Sequence, residues 1–239
     1  MGSRALKNHI FELLISQDLE AVLGEIAQYH ATELANILFS AICRNEELLR
    51  WRAISAMGVT LARVAVDDME KGRIFMRRLL WSLNDESGGI GWGAPEVLAE
   101  AMVHHRGLAE EYIHMLISYM RKDGDELHQD GNYLEHELLQ RGLLWGICRL
   151  ASQRGAMLID RGVQGDLLPY LCASDNEVRG IAALGCGLLR VSGAKAQLEK
   201  LIGDDEPIRF YVDGVVSVFT VENFAVQALA MVGEENSKV

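Results

Sequence analysis

Apolar residues recur three and four positions apart along most of the chain: Leu19, Val22, Leu23 and Ile26; Leu34, Ile37, Leu38 and Ile42; Ile74, Leu79, Leu80 and Leu83; Tyr112, Ile113, Leu116, Ile117 and Met120. That spacing lines one face of an α-helix and predicts an all-α protein. Polar and glycine-rich clusters at 84–93, 122–132 and 174–176 interrupt it, so the helices are short and regularly separated. Regular separation of short amphipathic helices points to an internal repeat.

The clearest internal match sets Arg52-Ala-Ile-Ser-Ala-Met-Gly58 against Arg179-Gly-Ile-Ala-Ala-Leu-Gly185, with a looser copy at Arg141-Gly-Leu-Leu-Trp-Gly-Ile147. Adding Gly93-Ala-Pro-Glu-Val-Leu-Ala99 and Glu222-Asn-Phe-Ala-Val-Gln-Ala228 gives anchors at 52, 93, 141, 179 and 222, separated by 41, 48, 38 and 43 residues. Two helices and their connections fill such a period, which is the size of a helical-hairpin solenoid unit.

With these residues in view, the chain resembles the HEAT-repeat family, and within it the short repeats similar to those of phycobilisome lyases. The likeness rests on Asp175-Asn-Glu-Val-Arg-Gly-Ile-Ala-Ala-Leu-Gly185, followed after a second helix by Leu201-Ile-Gly-Asp-Asp-Glu-Pro-Ile-Arg209. It is strong from about 174 to 231, moderate over 50–83, and weak over 1–45 and 90–170. It implies a right-handed α-solenoid of about five or six helical hairpins, with residues 1–239 as one domain. The iron-binding branch of the family, resembling deoxyhypusine hydroxylase, carries His-Glu pairs early in its repeats. The matching positions here are Ala53-Ile54, Gly142-Leu143 and Gly180-Ile181, so those ligands are missing.

Local signals fit this layout. Ser174-x-x-Glu177 reads as a capping box that starts a helix near Asp175. Gly58, Gly146 and Gly185 lie among aliphatics inside predicted helices, where an absent side chain lets neighbouring helices approach closely. One segment breaks the helical pattern: two β-prone runs, 208–212 and 215–221, flank Asp213-Gly214, the signal of a tight hairpin near 208–219. Thr220 then caps a last helix through about Met231. The hairpin is expected to pack on the end of the solenoid and shield its apolar face.

Composition narrows the function classes. The 239 residues carry a formal charge of −11, which opposes a general nucleic-acid groove and the DNA-glycosylase branch of the HEAT-like enzymes. The basic stretch Lys71, Arg73, Arg77 and Arg78 reads as a solvated helix face. Uncharged runs extend for only about 10 residues, against the ~20 that a bilayer-spanning helix needs, and the N-terminus carries no long apolar leader. A cytoplasmic chain is expected. Cys43, Cys148, Cys172 and Cys186 form no C-x-x-C pair and read as free, buried thiols.

No catalytic constellation emerges. Gly89-x-Gly91-x-x-Ala94 matches a dinucleotide fingerprint, but a predicted helix precedes it where a strand is required. Among His104, His105, His114, His128 and His136, only Glu111-x-x-His114 has a metal-binding spacing, and a second such pair is missing, so no metal or other cofactor is assigned. The segment least expected in a helical repeat is the glycine-rich connection between Trp81 and Glu96, with a second tryptophan at Trp92. Loops on rigid scaffolds often carry binding. The sequence therefore predicts a non-catalytic protein-interaction scaffold or assembly factor, binding a protein partner through Trp81, Asn84, Glu86, Trp92 and Glu96. Arg52, Arg141 and Arg179 would pair with carboxylates, and Arg141 and Arg179 could line a groove for an acidic segment. Resemblance to the lyase repeats implies an alternative, an accessory factor that handles a tetrapyrrole or a metal cofactor.

Overall fold

The computed structural model describes residues 3–84, 91–122 and 132–233. Among them are twelve α-helices and one two-stranded hairpin, an all-α helical-repeat solenoid with a small β insertion. The helices are α1 (Ser3–Ser16), α2 (Leu19–Ile26), α3 (Ala31–Ala41), α4 (Glu47–Asp67), α5 (Met69–Leu83), α6 (Ala94–His104), α7 (Arg106–Ser118), α8 (Glu137–Ile159), α9 (Val163–Leu167), α10 (Asn176–Leu188) and α11 (Lys195–Glu199). Strands β1 (Pro207–Val212) and β2 (Val215–Thr220) follow, and then α12 (Val221–Gly233). The chain forms two compact units, one running through Ile113 and including Tyr211–Val216, the other holding His114–Phe210 and the chain from Ser217.

The sequence anchors fall on every second helix. Arg52 lies in α4, Gly93 caps α6, Arg141 and Arg179 lie in α8 and α10, and Glu222 is in the first turn of α12. These helices pack on one another: α4 on α6 in the first unit, and α10 between α8 and α12 in the second. Glycine sets how close they come. A Cβ at Gly58 would overlap the Glu100 Cβ and lie 2.9 Å from the Glu100 carbonyl carbon, so α4 and α6 meet backbone to backbone. In α10 the equivalent contact belongs to Gly187, whose Cβ would stand 2.7 Å from the Ala228 Cα; Gly185 has only Leu167 and Cys148 side chains, at 3.3 Å or more. The predicted close approach is therefore present in α10 but two residues further along. Gly146 is buried within α8.

Helix starts follow short-range chemistry. The cap of α10 is Asp175 rather than Ser174: its carboxylate accepts the Val178 N–H at 2.9 Å, while the Ser174 carbonyl accepts from Arg179. Asp175 is preferred because the same carboxylate also receives Arg141. Thr220 caps α12 as expected, accepting the Asn223 N–H at 3.1 Å while Asn223 Oδ1 accepts the Thr220 N–H at 2.9 Å.

The hairpin turns through Asp213 (φ 50°) and Gly214 (φ 82°), the pair of left-handed residues a two-residue turn requires. Its base lies in the second unit, where Phe210, Phe219 and Phe224 cluster with ring centroids 5.0–6.4 Å apart. Its tip lies in the first unit, against α4. Tyr211 stacks on Trp51 at 5.1 Å, Ser55 donates to the Tyr211 hydroxyl at 3.2 Å, and Arg52 donates to the Gly214 carbonyl at 3.2 Å. Arg52 also donates to the carbonyls of Leu14 and Gln17, so its partners are backbone oxygens and not the expected carboxylate. The expected end-shielding role does not describe this tip, and Val215 is 49% exposed.

Two thiols depart from the sequence reading. Cys148 and Cys186 are buried, and burial pushes Cys186 up to about 12; Cys43, just beyond the end of α3, and Cys172 are exposed, and all four are free. Among the described residues no helix is long and apolar enough to cross a membrane.

A matched pair of substitutions tests the close approach. Gly58→Ala should destabilise the protein by about 1–3 kcal/mol, because the new methyl meets backbone. Gly24→Ala, in α2 with nothing within 4 Å, should stabilise it by about 0.5–1 kcal/mol. Denaturant unfolding measures both.

Candidate functional site

The connection into α6 is shaped by two of its glycines. A Cβ at Gly91 would lie 2.7 Å from the Ser82 carbonyl oxygen, so the chain there runs directly against the last turn of α5. Gly93 caps α6 at φ 76°, with its Cβ position 3.1 Å from that of Ile42. Pro95 occupies the first turn of the helix, where its missing N–H costs nothing. Helices flank both sides of this segment, which removes the dinucleotide reading of its glycines.

Trp92 sits half-buried between these glycines, and its Nε1 is buried with no acceptor among the described residues. Four residues away, Glu96 is 7% exposed and its Oε2 has no donor among the described residues. The Arg50 guanidinium from α4 stands 6.0 Å from the Trp92 ring and 5.8 Å from the Trp51 ring, and its Nε is also buried without a partner among the described residues. Buried polar groups are normally satisfied, so such a gathering of donors and an acceptor marks a place where the fold carries an electrostatic cost. Burial pushes the Glu96 carboxyl up to about 7, with its own backbone N–H and the Arg50 charge pulling the other way.

The remaining expected site residues are distributed as follows. Trp81, at the end of α5, is 74% exposed. Asn84 is exposed and caps α5, its N–H donating to the Trp81 carbonyl at 3.0 Å. Glu86 lies outside the described residues. The Gly91–Ser82 contact brings the residue before Trp92 against the residue after Trp81, so the two tryptophans flank one point of the chain. Arg141 and Arg179 are in the second unit. Arg141 pairs with Asp175 and, at 3.0 Å, with Glu177; Arg179 pairs with Asp204 at 2.7 Å. Burial pushes the Asp175 carboxyl up, but Arg141 and the Val178 amide overcome this and hold it below the usual range. Arg50 was not legible as a member of the site, because its only sequence signal is its place two residues ahead of the Arg52 anchor.

Among the described residues no group of three or more His, Cys, Asp and Glu could hold a metal ion. His128 lies outside the described residues.

No family model matches the chain, and no curated protein matches it. The fold matches crystal structures of two engineered proteins, each at a TM-score of 0.53. One is 16% identical over 95% of this chain and 96% of its own; the other is 17% identical over 95% and 98%. A designed armadillo-repeat protein aligns at 16% identity over 94% of this chain and 99% of its own, with a TM-score of 0.48. At these identities the likeness concerns the fold alone.

Glu96 makes stability depend on pH in a defined direction. Its pKa is higher folded than unfolded, so the folded chain holds the proton more tightly; stability is fully present below the ordinary glutamate range and is lost as pH rises through about 7. Glu96→Gln removes this loss. The variant should exceed the parent by about 3 kcal/mol above pH 8 and match it near pH 4.5. Denaturant unfolding at the two pH values checks this, and an equal difference at both would contradict it.

Proposed function

We propose that this chain is a non-catalytic interaction scaffold or assembly factor of HEAT-repeat type, acting as one domain over residues 1–239 in the cytoplasm. The observation that carries the reading is Trp81, 74% exposed at the end of a helix whose Phe75, Met76 and Leu79 are buried. A large exposed aromatic on a rigid element is the usual centre of a protein–protein contact, since it offers apolar area at low entropic cost. Trp92 supplies a second, half-buried aromatic beside it, Asn84 is a polar neighbour, and Glu86 is kept as a polar contact on its place in the sequence alone. Glu96, expected as a polar contact, is 7% exposed and lies behind this surface in the field of Arg50. Arg141 and Arg179 order α8 and α10 through their carboxylate pairs, and the net charge of −11 favours a protein over a nucleic acid as the partner.

Trp81→Ala should reduce capture of partner protein from native extracts by about tenfold or more, with the circular-dichroism melt unchanged. Trp92→Ala should reduce it less and lower the melting temperature. If both variants kept every partner while folded, this surface would be wrongly assigned. The purified protein should lack a visible absorption band and carry no stoichiometric metal; either signal would favour the cofactor-handling alternative.

A further inference from the structure

The first unit carries cations that the acidic balance of the chain does not neutralise. On α5, Lys71 pairs with Asp68, Arg73 with Glu111 and Glu70, and Arg77 with Glu70. Arg78 differs: it lies 4.0 Å from the Phe39 ring centroid and donates to Asn36 Oδ1 at 3.2 Å. Lys7 of α1 and Arg44, beyond the end of α3, both stand over the Phe11 ring, at 5.4 and 5.5 Å. Among the described residues none of the three has a carboxylate within 4.0 Å.

Lys7 and, through Asn36, Arg78 border one depression, and Arg44 shares the Phe11 ring with Lys7. An open pocket of about 360 Å³ is lined by Lys7, Glu33, Asn36, Ile37 and Ser40. Lys7 stands on its α1 side, and Asn36 carries Arg78 on its α5 side. Arg78 and Trp81 are three residues apart on α5 and both exposed, so they share a helix face, and Ile74, 53% exposed, extends that face by one turn. The surface therefore alternates positive charge with aromatic and aliphatic area: Phe11, Phe39, Ile74 and Trp81. Cations held over rings are positioned without being neutralised, so their field is available to a ligand.

We propose that this face of α1, α3 and α5 docks an acidic peptide segment of a partner protein, with carboxylates between Lys7, Arg44 and Arg78 and an apolar side chain against Trp81. Charge complementarity selects the occupant. Three unneutralised cations suit a short run of Asp and Glu, whereas nucleic-acid binding draws its affinity from phosphate neutralisation and must approach against the overall charge of −11. Glu33, on the rim, repels a ligand carboxylate and confines the acidic contact to the Lys7 and Arg78 sides. This inference rests on the scaffold reading and names the chemistry of its partner.

Fluorescence anisotropy of the full chain tests it with three labelled probes: a peptide of about twelve residues composed of Glu, Asp and Leu, the same peptide with Lys for each acid, and an oligothymidylate of equal length. The acidic peptide should bind, and should weaken about tenfold between about 50 and 300 mM salt. The triple variant K7E/R44E/R78E should lose at least tenfold in affinity, and K7Q/R44Q/R78Q should lose less while keeping the parental melting temperature. Equal binding of acidic and basic peptides, tighter binding of the oligothymidylate, or unchanged affinity in the glutamine variant would overturn the proposal. Failure of the scaffold reading is distinguishable, because it shows as full partner retention in the tryptophan variants.

Discussion

Backbone-to-backbone contact between successive repeat helices is the constraint on which the rest of the structure depends. Gly58 lets α4 lie directly on α6, and Gly187 does the same for α10 on α12. A side chain at either position would push the pair apart and open the interior around it, at a cost set by how poorly a packed core relaxes. The cost of glycine in a helix, about 1 kcal/mol, is tolerated because the contact cannot otherwise be made. It accounts for Gly58 and Gly187 among the 23 glycines, while Gly91, Gly93 and Gly214 serve connections.

The same contact shapes the electrostatics of the first unit. Pressing α6 onto α4 buries Glu96 near the Arg50 charge, with no partner for its Oε2 among the described residues, and the burial raises its pKa. It also fixes the chain ahead of α6, where Gly91 lies on Ser82 and Gly93 on Ile42, so the Trp92 indole is clamped and the Trp81 indole is left outside. The two tryptophans thus differ in exposure although they share one connection. Elsewhere charge is mostly matched locally: Arg141 and Arg179 meet carboxylates, and Arg52 meets carbonyls. Against that background the cations over Phe11 and Phe39 stand out, because rings hold them without cancelling their charge.

Most of the helical order was legible in the sequence, because an anchor of arginine or glycine marks each of α4, α6, α8 and α10, and Thr220 with Glu222 marks the start of α12. The hairpin was legible from Asp213-Gly214, whose left-handed backbone few other dipeptides accept. What escaped depends on residues distant in the chain. Nothing near Tyr211 says that it stacks on Trp51, nothing near Arg52 says that its partners are carbonyls, and the choice of Gly187 over Gly185 depends on where Ala228 falls. The candidate site was half legible: its glycines and tryptophans announced themselves, but the burial of Glu96 and the arrival of Arg50 required the α4–α6 contact to be known.

The docking face is tested most directly by where a ligand is felt in the molecule. Amide and indole chemical shifts of the nitrogen-15-labelled chain, followed during titration with the acidic peptide, provide that map. Shifts should concentrate in α1, α3 and α5, including the Trp81 indole, with α10 and α12 unmoved. Shifts centred on Arg141 and Arg179, or absent throughout, would contradict it.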